Sequence, residues 1–551
     1  MKQSILKVHP QDNVVVALRD LKKMETVQER DNTYIIQEDI PTKHKFTATA
    51  LAAGEAIIMY GVLAGRAQEN IPAGYRISVE NVRHAAGSYE LAAQRKTSWH
   101  IPDIAAWQQK TFSGYHREDG SVGTANYWLV IPLVFCENRN VDVLREALMD
   151  ELGYGRPAAY TTFTRSLVTA YQSGSSAAKI LETIYTEDPG SIAAPRIFEN
   201  VDGIKFLTHD GGCGGIRQDA QTLCGLLAGY ITHPNVAGAT VLSLGCQNAQ
   251  ITMLQDEIKK RDAHFSKPLY ILDQQQTGAE NVLITNAIRQ TFAGLMQANQ
   301  CTRQPAPLSK LCIGLECGGS DGFSGISANP AIGYTSDLLV ALGGSVILAE
   351  FPELCGVEQE MSDRCATTED ATRFIQLMRT YQQRAEEAGS GFDMNPSPGN
   401  IKDGLITDAI KSAGAAKKGG TSPVAAVLDY PEKVQRPGLN LLCTPGNDVE
   451  STTAEVGSGA NIVLFTTGLG TPTGNPITPV IKLSSNTKLY NRMRDIIDIN
   501  TGTIIDGDET ISAAGERILD YVIQVASGIV TAKSVLNGQD DFIPWKRGVS
   551  L

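Results

Sequence analysis

From Tyr127 to Leu483 the chain repeats one pattern, a short continuous apolar run followed by a stretch with helical periodicity. The runs are Tyr127–Phe135, Ile204–Leu207, Ala239–Leu244, Leu269–Leu272, Leu311–Leu315, Ser345–Ala349, Leu439–Leu442, Asn461–Phe465 and Val480–Leu483. A strand apolar on both sides must be covered on both faces, which is the condition inside a parallel sheet flanked by helices. Between the runs, Ile284, Ile288, Phe292 and Leu295 fall on one helical face, and Ile518, Tyr521, Val522 and Val525 on another. The main body is therefore expected to be α/β, with mainly parallel sheets.

The first eighty residues read differently. Short β-type runs (Ile5–Val8, Asn13–Leu18, Thr33–Ile36, Lys45–Thr47, Ala56–Tyr60, Arg76–Val79) are separated by turn formers such as Pro41, Gly54 and Pro72–Gly74, which predicts a small all-β domain. Between Asn81 and Lys110 the periodicity fades among Arg83, His84, Arg95, Lys96 and His100, as in a linker. A chain of 551 residues has room for several domains. The expected division is a β domain at 1–82, a linker at 83–112, a first α/β domain at 113–310 and a second at 311–551.

Charge narrows the function classes. Against 48 basic side chains stand 60 acidic ones, a net charge of −12, which repels both a nucleic-acid backbone and an anionic membrane surface. Met1–Leu18 lacks a basic segment followed by an apolar one, and no apolar run reaches about 18 residues, so neither an export signal nor a membrane span is expected. The chain is expected to be cytoplasmic, to act on a small molecule, and to be free to form a homo-oligomer. Ten cysteines are too dilute for a disulfide scaffold, and a reducing compartment leaves them as thiols.

Where the cysteines fall is informative. Cys136, Cys246, Cys317 and Cys443 each end a predicted buried strand, and ligands of open α/β sheets bind beyond the carboxyl ends of the strands. Cys213 lies in the glycine-rich turn Thr208–Gly215, where exposed backbone N–H groups would hold an anion and lower a thiol's pKa. His209 precedes it by four residues in the same loop. His44 stands near a strand start in the β domain. Cys224, Cys301, Cys312, Cys355 and Cys365 read as packing residues, and His9, His84, His100, His116, His233 and His264 as surface or turn residues. No Cys-x-x-Cys pair supports a zinc ribbon, and no Gly-x-x-x-x-Gly-Lys-Ser/Thr stretch supports a nucleotide site. Three loops rich in glycine and small polar groups, Glu316–Gly325, Asn395–Asn400 and Thr466–Asn475, suit a polyhydroxylated ligand.

These motifs carry a resemblance. Asp12–Leu18, His44-Lys45-Phe46, Thr111–Tyr115, Asp119–Thr124, Leu244-Gly245-Cys246, Gly314–Asp321, Ala328-Asn329-Pro330, Asn395–Asn400 and Thr466–Pro472 together resemble the altronate dehydratase and galactarate dehydratase family of sugar-acid hydro-lyases. The resemblance implies a SAF-type (β-clip) N-terminal domain, a catalytic α/β region and a need for Fe(II), sometimes met by Mn(II). The reaction it implies is loss of water from a hexonate or aldarate to give a 2-keto-3-deoxy sugar acid. Altronate is the first expectation, galactarate the second, and sulfite release from sulfolactate a related lyase chemistry. This chain departs from the family pattern at Lys43, where glycine is usual, at Glu137-Asn138-Arg139 after Cys136, at Gln247, and in a longer segment from about 140 to 200.

Fe(II) accepts imidazole, carboxylate and thiolate. The expected ligands are His209, Cys213, Cys246 and Cys317, with Cys136 in reserve; His44 and His209 are the expected acid and base. Ser320, Asp321, Asn329, Asn395, Ser397 and Asn400 are expected to hold the substrate's hydroxyls and carboxylate. The alternative is an iron–sulfur cluster on the convergent cysteines.

Overall fold

In the N-terminal unit the valine run Val14–Ala17 forms a strand buried along its whole length, because each of its faces is covered by a different core. Val15 and Ala17 pack with Ile5, Leu21, Ile36, Ile40 and Phe46 inside the unit. Val14 and Val16 join Ile57, Met59 and Tyr60 in a core that continues into Phe323, Ile326 and Phe351 of the catalytic region. The unit is all β: an antiparallel sheet of Ile5–Leu6, Val14–Ala17, Lys45–Thr47 and Arg76–Ile77, a three-stranded sheet of Ala56–Met59, Val62–Ala67 and Val82–Arg83, and the hairpin Thr26–Glu29 with Asn32–Ile35. The computed structural model describes residues 3–87, 89, 98–155, 159–185 and 195–548. Residues 88 and 90–97 of the expected linker, with Arg95 and Lys96, lie outside them, as do parts of the 140–200 segment.

The rest is α/β, and its continuous apolar runs form two parallel sheets. One has four strands in the order Gly203–Phe206, Tyr127–Pro132, Val236–Ser243, Leu269–Asp273. The other has seven, in the order Val424–Leu428, Gly438–Leu442, Ser345–Leu348, Cys312–Cys317, Ile462–Thr467, Val480–Ser484, Ile499–Asn500. A shared core lies between them: Leu129, Ile131, Ala239 and Val241 of the first sheet cluster with Ile347, Leu442, Val463 and Phe465 of the second and with the helix Arg217–Thr232. Of the predicted helical faces, Leu295, Ile518, Val522 and Val525 are buried, whereas Phe292 is mostly on the surface. Among the described residues no helix is long and apolar enough to cross a membrane.

Edge strands escaped the periodicity reading. Arg303–Pro307 pairs antiparallel with Thr111–His116 despite two prolines, which an edge strand tolerates because one side of its ladder carries no hydrogen bonds. Val424–Leu428, with two alanines among its five residues, closes one end of the large sheet.

Trp128 is fully buried on the strand Tyr127–Pro132, and Gly294 makes room for it: a Cβ there would stand 1.9 Å from the indole. Gly294→Ala is expected to destabilise the fold by about 1–3 kcal/mol through overpacking, read as a lower urea midpoint.

Candidate active site

The large sheet delivers acid groups to its carboxyl end. The strand Cys312–Cys317 ends on Glu316 and Cys317, and the neighbouring strand Ser345–Leu348 runs on to Glu350 and, in the 3-10 turn Phe351–Leu354, to Glu353. Glu316, Glu350, Glu353 and Cys317 are all buried, together with Glu455 from the helix Asp448–Gly457. Glu350 holds a left-handed backbone, φ 61°, unusual for a residue with a Cβ. Strain of that kind concentrates at functional sites.

Two lysines answer this charge. Lys418 Nζ lies 2.9 Å from Cys317 Sγ and 3.1 Å from Glu350 Oε2. Lys411 pairs with Glu353 and donates to Asn395 Oδ1 at 2.9 Å. Cys317 Sγ in turn lies 3.2 Å from Glu353 Oε2 and 3.8 Å from Glu350 Oε2. Burial would raise the Glu353 carboxyl, but Lys411 and Lys418 outweigh it and hold it below the ordinary range. Burial, reinforced by Glu353, pushes the Cys317 thiol well up in spite of Lys418. Burial and then neighbouring acids raise Glu316 and Glu455, and Asp448 rises to about 7 for the same reasons. Acid groups outnumber the lysines; Glu316 and Glu350 share a hydrogen bond, and Glu455 Oε2 is buried without a hydrogen-bond partner.

Cys317, Glu350 and Glu353 bring one donor atom each within 4.8 Å of one another. A thiol and two carboxylates, with further acid groups packed around them, fit a divalent ion such as Fe(II) or Mn(II).

One loop further on, the small domain closes over the same strand end. Lys43 Nζ pairs with Asp321 at 2.9 Å and Asp403 at 2.8 Å. Lys43 itself sits at φ 74°, where a glycine would rest without strain, so its side chain reaches the acids at a conformational cost of about 1–2 kcal/mol. Gly404 (φ 92°) lets the chains touch, since a Cβ there would stand 2.4 Å from the Lys43 carbonyl. His44 Nε2 lies 3.1 Å from the Lys402 carbonyl, and its Nδ1 has no partner. Burial, helped by Lys45 and Arg76, lowers the His44 pKa and favours the neutral ring. Lys45, fully buried and donating to the Gly404 carbonyl at 2.5 Å, is lowered by burial to about 7, with Asp321 pulling the other way.

The predicted substrate residues gather here, but several are occupied within the protein. Asp321 accepts from Ser324 Oγ (3.0 Å), Ser485 Oγ (2.8 Å) and Asn486 Nδ2 (3.1 Å). Asn329 accepts from Thr466 Oγ1 at 2.7 Å and donates to the Gly414 carbonyl at 3.0 Å. Ser397 and Asn400 form a capping box on the short helix Pro398–Lys402, and Asn400 Nδ2 holds the Ser320 carbonyl at 2.7 Å. These residues brace the loops that carry the charged groups.

The other predicted ligands lie on the four-stranded sheet. Cys136, Cys213 and Cys246 are exposed on three adjoining loops, joined by hydrogen bonds from Phe135 N–H to the Gly211 carbonyl (3.1 Å) and from Ala249 N–H to the Gly212 carbonyl (3.0 Å). Among the described residues, none of the tight His, Cys and carboxylate groupings contains any of these three or His209. His209 is buried with both ring nitrogens engaged, Nε2 at 2.8 Å from the Pro132 carbonyl and Nδ1 accepting from Gly211 N–H at 3.1 Å. It fastens its loop and leaves no lone pair for a metal or a proton relay. Gln247 likewise ties its own loop, through Ser243 Oγ and Gly245 N–H, both at 2.7 Å. His233, expected at the surface, is buried. The expectation of one centre treated all strand ends as one edge, but they belong to two sheets.

Sequence reasoning overlooked Glu350, Glu353, Lys411, Lys418, Lys43 and Lys45. The strand-end rule that singled out cysteines applies equally to Glu350 after Ser345–Ala349; the lysines have no comparable signal.

Three family models cover nearly the whole chain: the altronate/galactarate dehydratase SAF domain (residues 3–85), the second domain of D-galactarate dehydratase/altronate hydrolase (114–299) and the D-galactarate/altronate dehydratase C-terminal domain (308–550). The chain is 32% identical to an altronate dehydratase of Bacillus subtilis over 100% of both proteins. It belongs to the altronate/galactarate dehydratase family. As a member it is a hydro-lyase of sugar acids. An altronate dehydratase of Escherichia coli is 30% identical over 99% of both chains. The L-threo-forming galactarate dehydratase of the same organism is 31% identical over 95% of this chain and 92% of its own.

Lys418→Met leaves Cys317 and Glu350 without their buried cation and is expected to lower stability by about 3–5 kcal/mol in denaturant titration, with Lys418→Arg recovering part of it. The Asp448 carboxyl, raised from 3.8 to about 7, stays protonated in the folded chain where the unfolded chain has already ionised. Stability of the metal-free protein should therefore fall as pH rises from about 4 to 7, by up to about 1.4 kcal/mol per unit, and level off above. Asp448→Asn should flatten that profile.

Proposed function

We propose that this dehydratase converts D-altronate to 2-keto-3-deoxy-D-gluconate and water in the cytoplasm, where its ten free thiols suit a reducing medium. The observation that carries the substrate is the match along the full length of both chains to two altronate dehydratases.

Loss of water from a 2,3-dihydroxy acid takes a proton from C2 and expels the C3 hydroxyl. Neutral His44 takes the C2 proton, which its lowered pKa suits. Lys43, anchored by Asp321 and Asp403, attracts the substrate carboxylate. Lys45, lowered to about 7, gives a proton to the departing hydroxyl. The C2–H electron pair becomes the new double bond, the C3–O pair leaves with the water, and the resulting enol tautomerises to the 2-keto acid. An Fe(II) or Mn(II) ion held by Cys317, Glu350 and Glu353 supplies Lewis acidity to this chemistry. The exposed Cys136, Cys213 and Cys246 on adjoining loops support a second cofactor reading, an iron–sulfur cluster with three thiolate ligands.

A keto-acid colour assay across altronate, galactarate, mannonate and sulfolactate, with and without Fe(II), tests the reading. Fe(II)-dependent product from altronate is expected, and product from galactarate alone overturns the substrate. His44→Asn should lower kcat by about 10²–10⁴ with little change in KM. Acid-labile sulfide that is lost in Cys136→Ala but retained in Cys317→Ser replaces the mononuclear ion with the cluster.

A further inference from the structure

Where the small domain hands the chain on, a second group of metal-type donors comes together. His84 follows the strand Val82–Arg83, Cys355 closes the turn Phe351–Leu354, and Asp408 opens the helix Asp408–Ala415. Sequence reasoning took His84 for a surface residue and Cys355 for a packing residue. In the fold an imidazole nitrogen, the thiol sulfur and a carboxylate oxygen of the three all lie within 4.8 Å of one another.

Their hydrogen bonding is incomplete. Asp408 is fully buried; its Oδ1 accepts from Ser412 Oγ at 3.3 Å, and the Cys355 thiol is its other side-chain partner. His84 Nδ1 is buried without a partner. A buried imidazole nitrogen left open in this way is costly unless a third party completes it. The surroundings are acidic: Asp393 acts on both His84 and Cys355, and Glu358 acts on Cys355, with Lys411 as the cation that reaches Asp408.

We propose that His84, Cys355 and Asp408 bind one divalent transition-metal ion of the zinc type, separate from any ion at Cys317. One imidazole, one thiolate and one carboxylate with a fourth position open suit a four-coordinate borderline ion. The site joins the exit strand of the small domain to the catalytic domain. Beside it Thr407 Oγ1 donates to the Ala64 carbonyl at 2.7 Å, a second tie across the same junction.

The test is Co(II) titration of the full-length apoprotein. Wild type should show thiolate-to-cobalt charge-transfer absorption, and Cys355→Ser and His84→Gln should each lose about one tightly bound equivalent. Cys317→Ser should keep the equivalent that His84→Gln removes, so failure at one site is distinguishable from failure at the other. His84 is half-exposed, and its replacement leaves the core intact. Zn(II) should also raise the melting temperature of wild type by several degrees more than that of His84→Gln. Equal cobalt stoichiometry in wild type, Cys355→Ser and His84→Gln, or no binding by wild type, overturns the proposal and leaves the three residues as a neutral hydrogen-bonded cluster.

Discussion

Acid groups packed more densely than bases at the carboxyl end of the large sheet set the terms for the rest of the molecule. Glu316, Cys317, Glu350, Glu353 and Glu455 are all withdrawn from water, and Lys411 and Lys418 supply the opposing charge. Such an arrangement survives only when it is neutralised, by retained protons, by the lysines or by a metal cation. Each remedy leaves a mark here: raised carboxyls, short lysine contacts, and a carboxylate oxygen with nothing to bind. The same surplus that makes the site expensive to fold equips it to bind a cation.

The small domain is part of this arrangement. Its strand Val14–Ala17 is buried on both faces because one face belongs to the catalytic region's core. That shared core presses the 42–46 segment against Asp321 and Asp403 and brings two lysines and an imidazole to a strand end already rich in acid. Lys43 occupies a left-handed position that glycine would take without strain, and two ion pairs compensate the strain.

The cysteines divide by sheet. Cys317 belongs to the acid cluster, while Cys136, Cys213 and Cys246 share the exposed rim of the four-stranded sheet. Both sets stand near the carboxyl ends of strands, and the helix Arg217–Thr232 with its surrounding core lies between the sheets.

The sequence by itself determined the fold class, because a run such as Tyr127–Pro132 is apolar throughout only if both faces are covered, and nearly every such run is a parallel strand. It also determined the family, through loop motifs whose order along the chain is visible without coordinates. It singled out Cys317, at the strand end where the buried acids gather, and His44, in the small-domain segment beside it. Tertiary structure alone decided which residues meet. That Lys418 would find Cys317, that His84 would find Asp408, and that His209 would turn inward to the Pro132 carbonyl depend on pairings more than 70 residues apart. Local periodicity records which face of a strand or helix is buried, but not which other element covers it, and buried charges are chosen by that covering element.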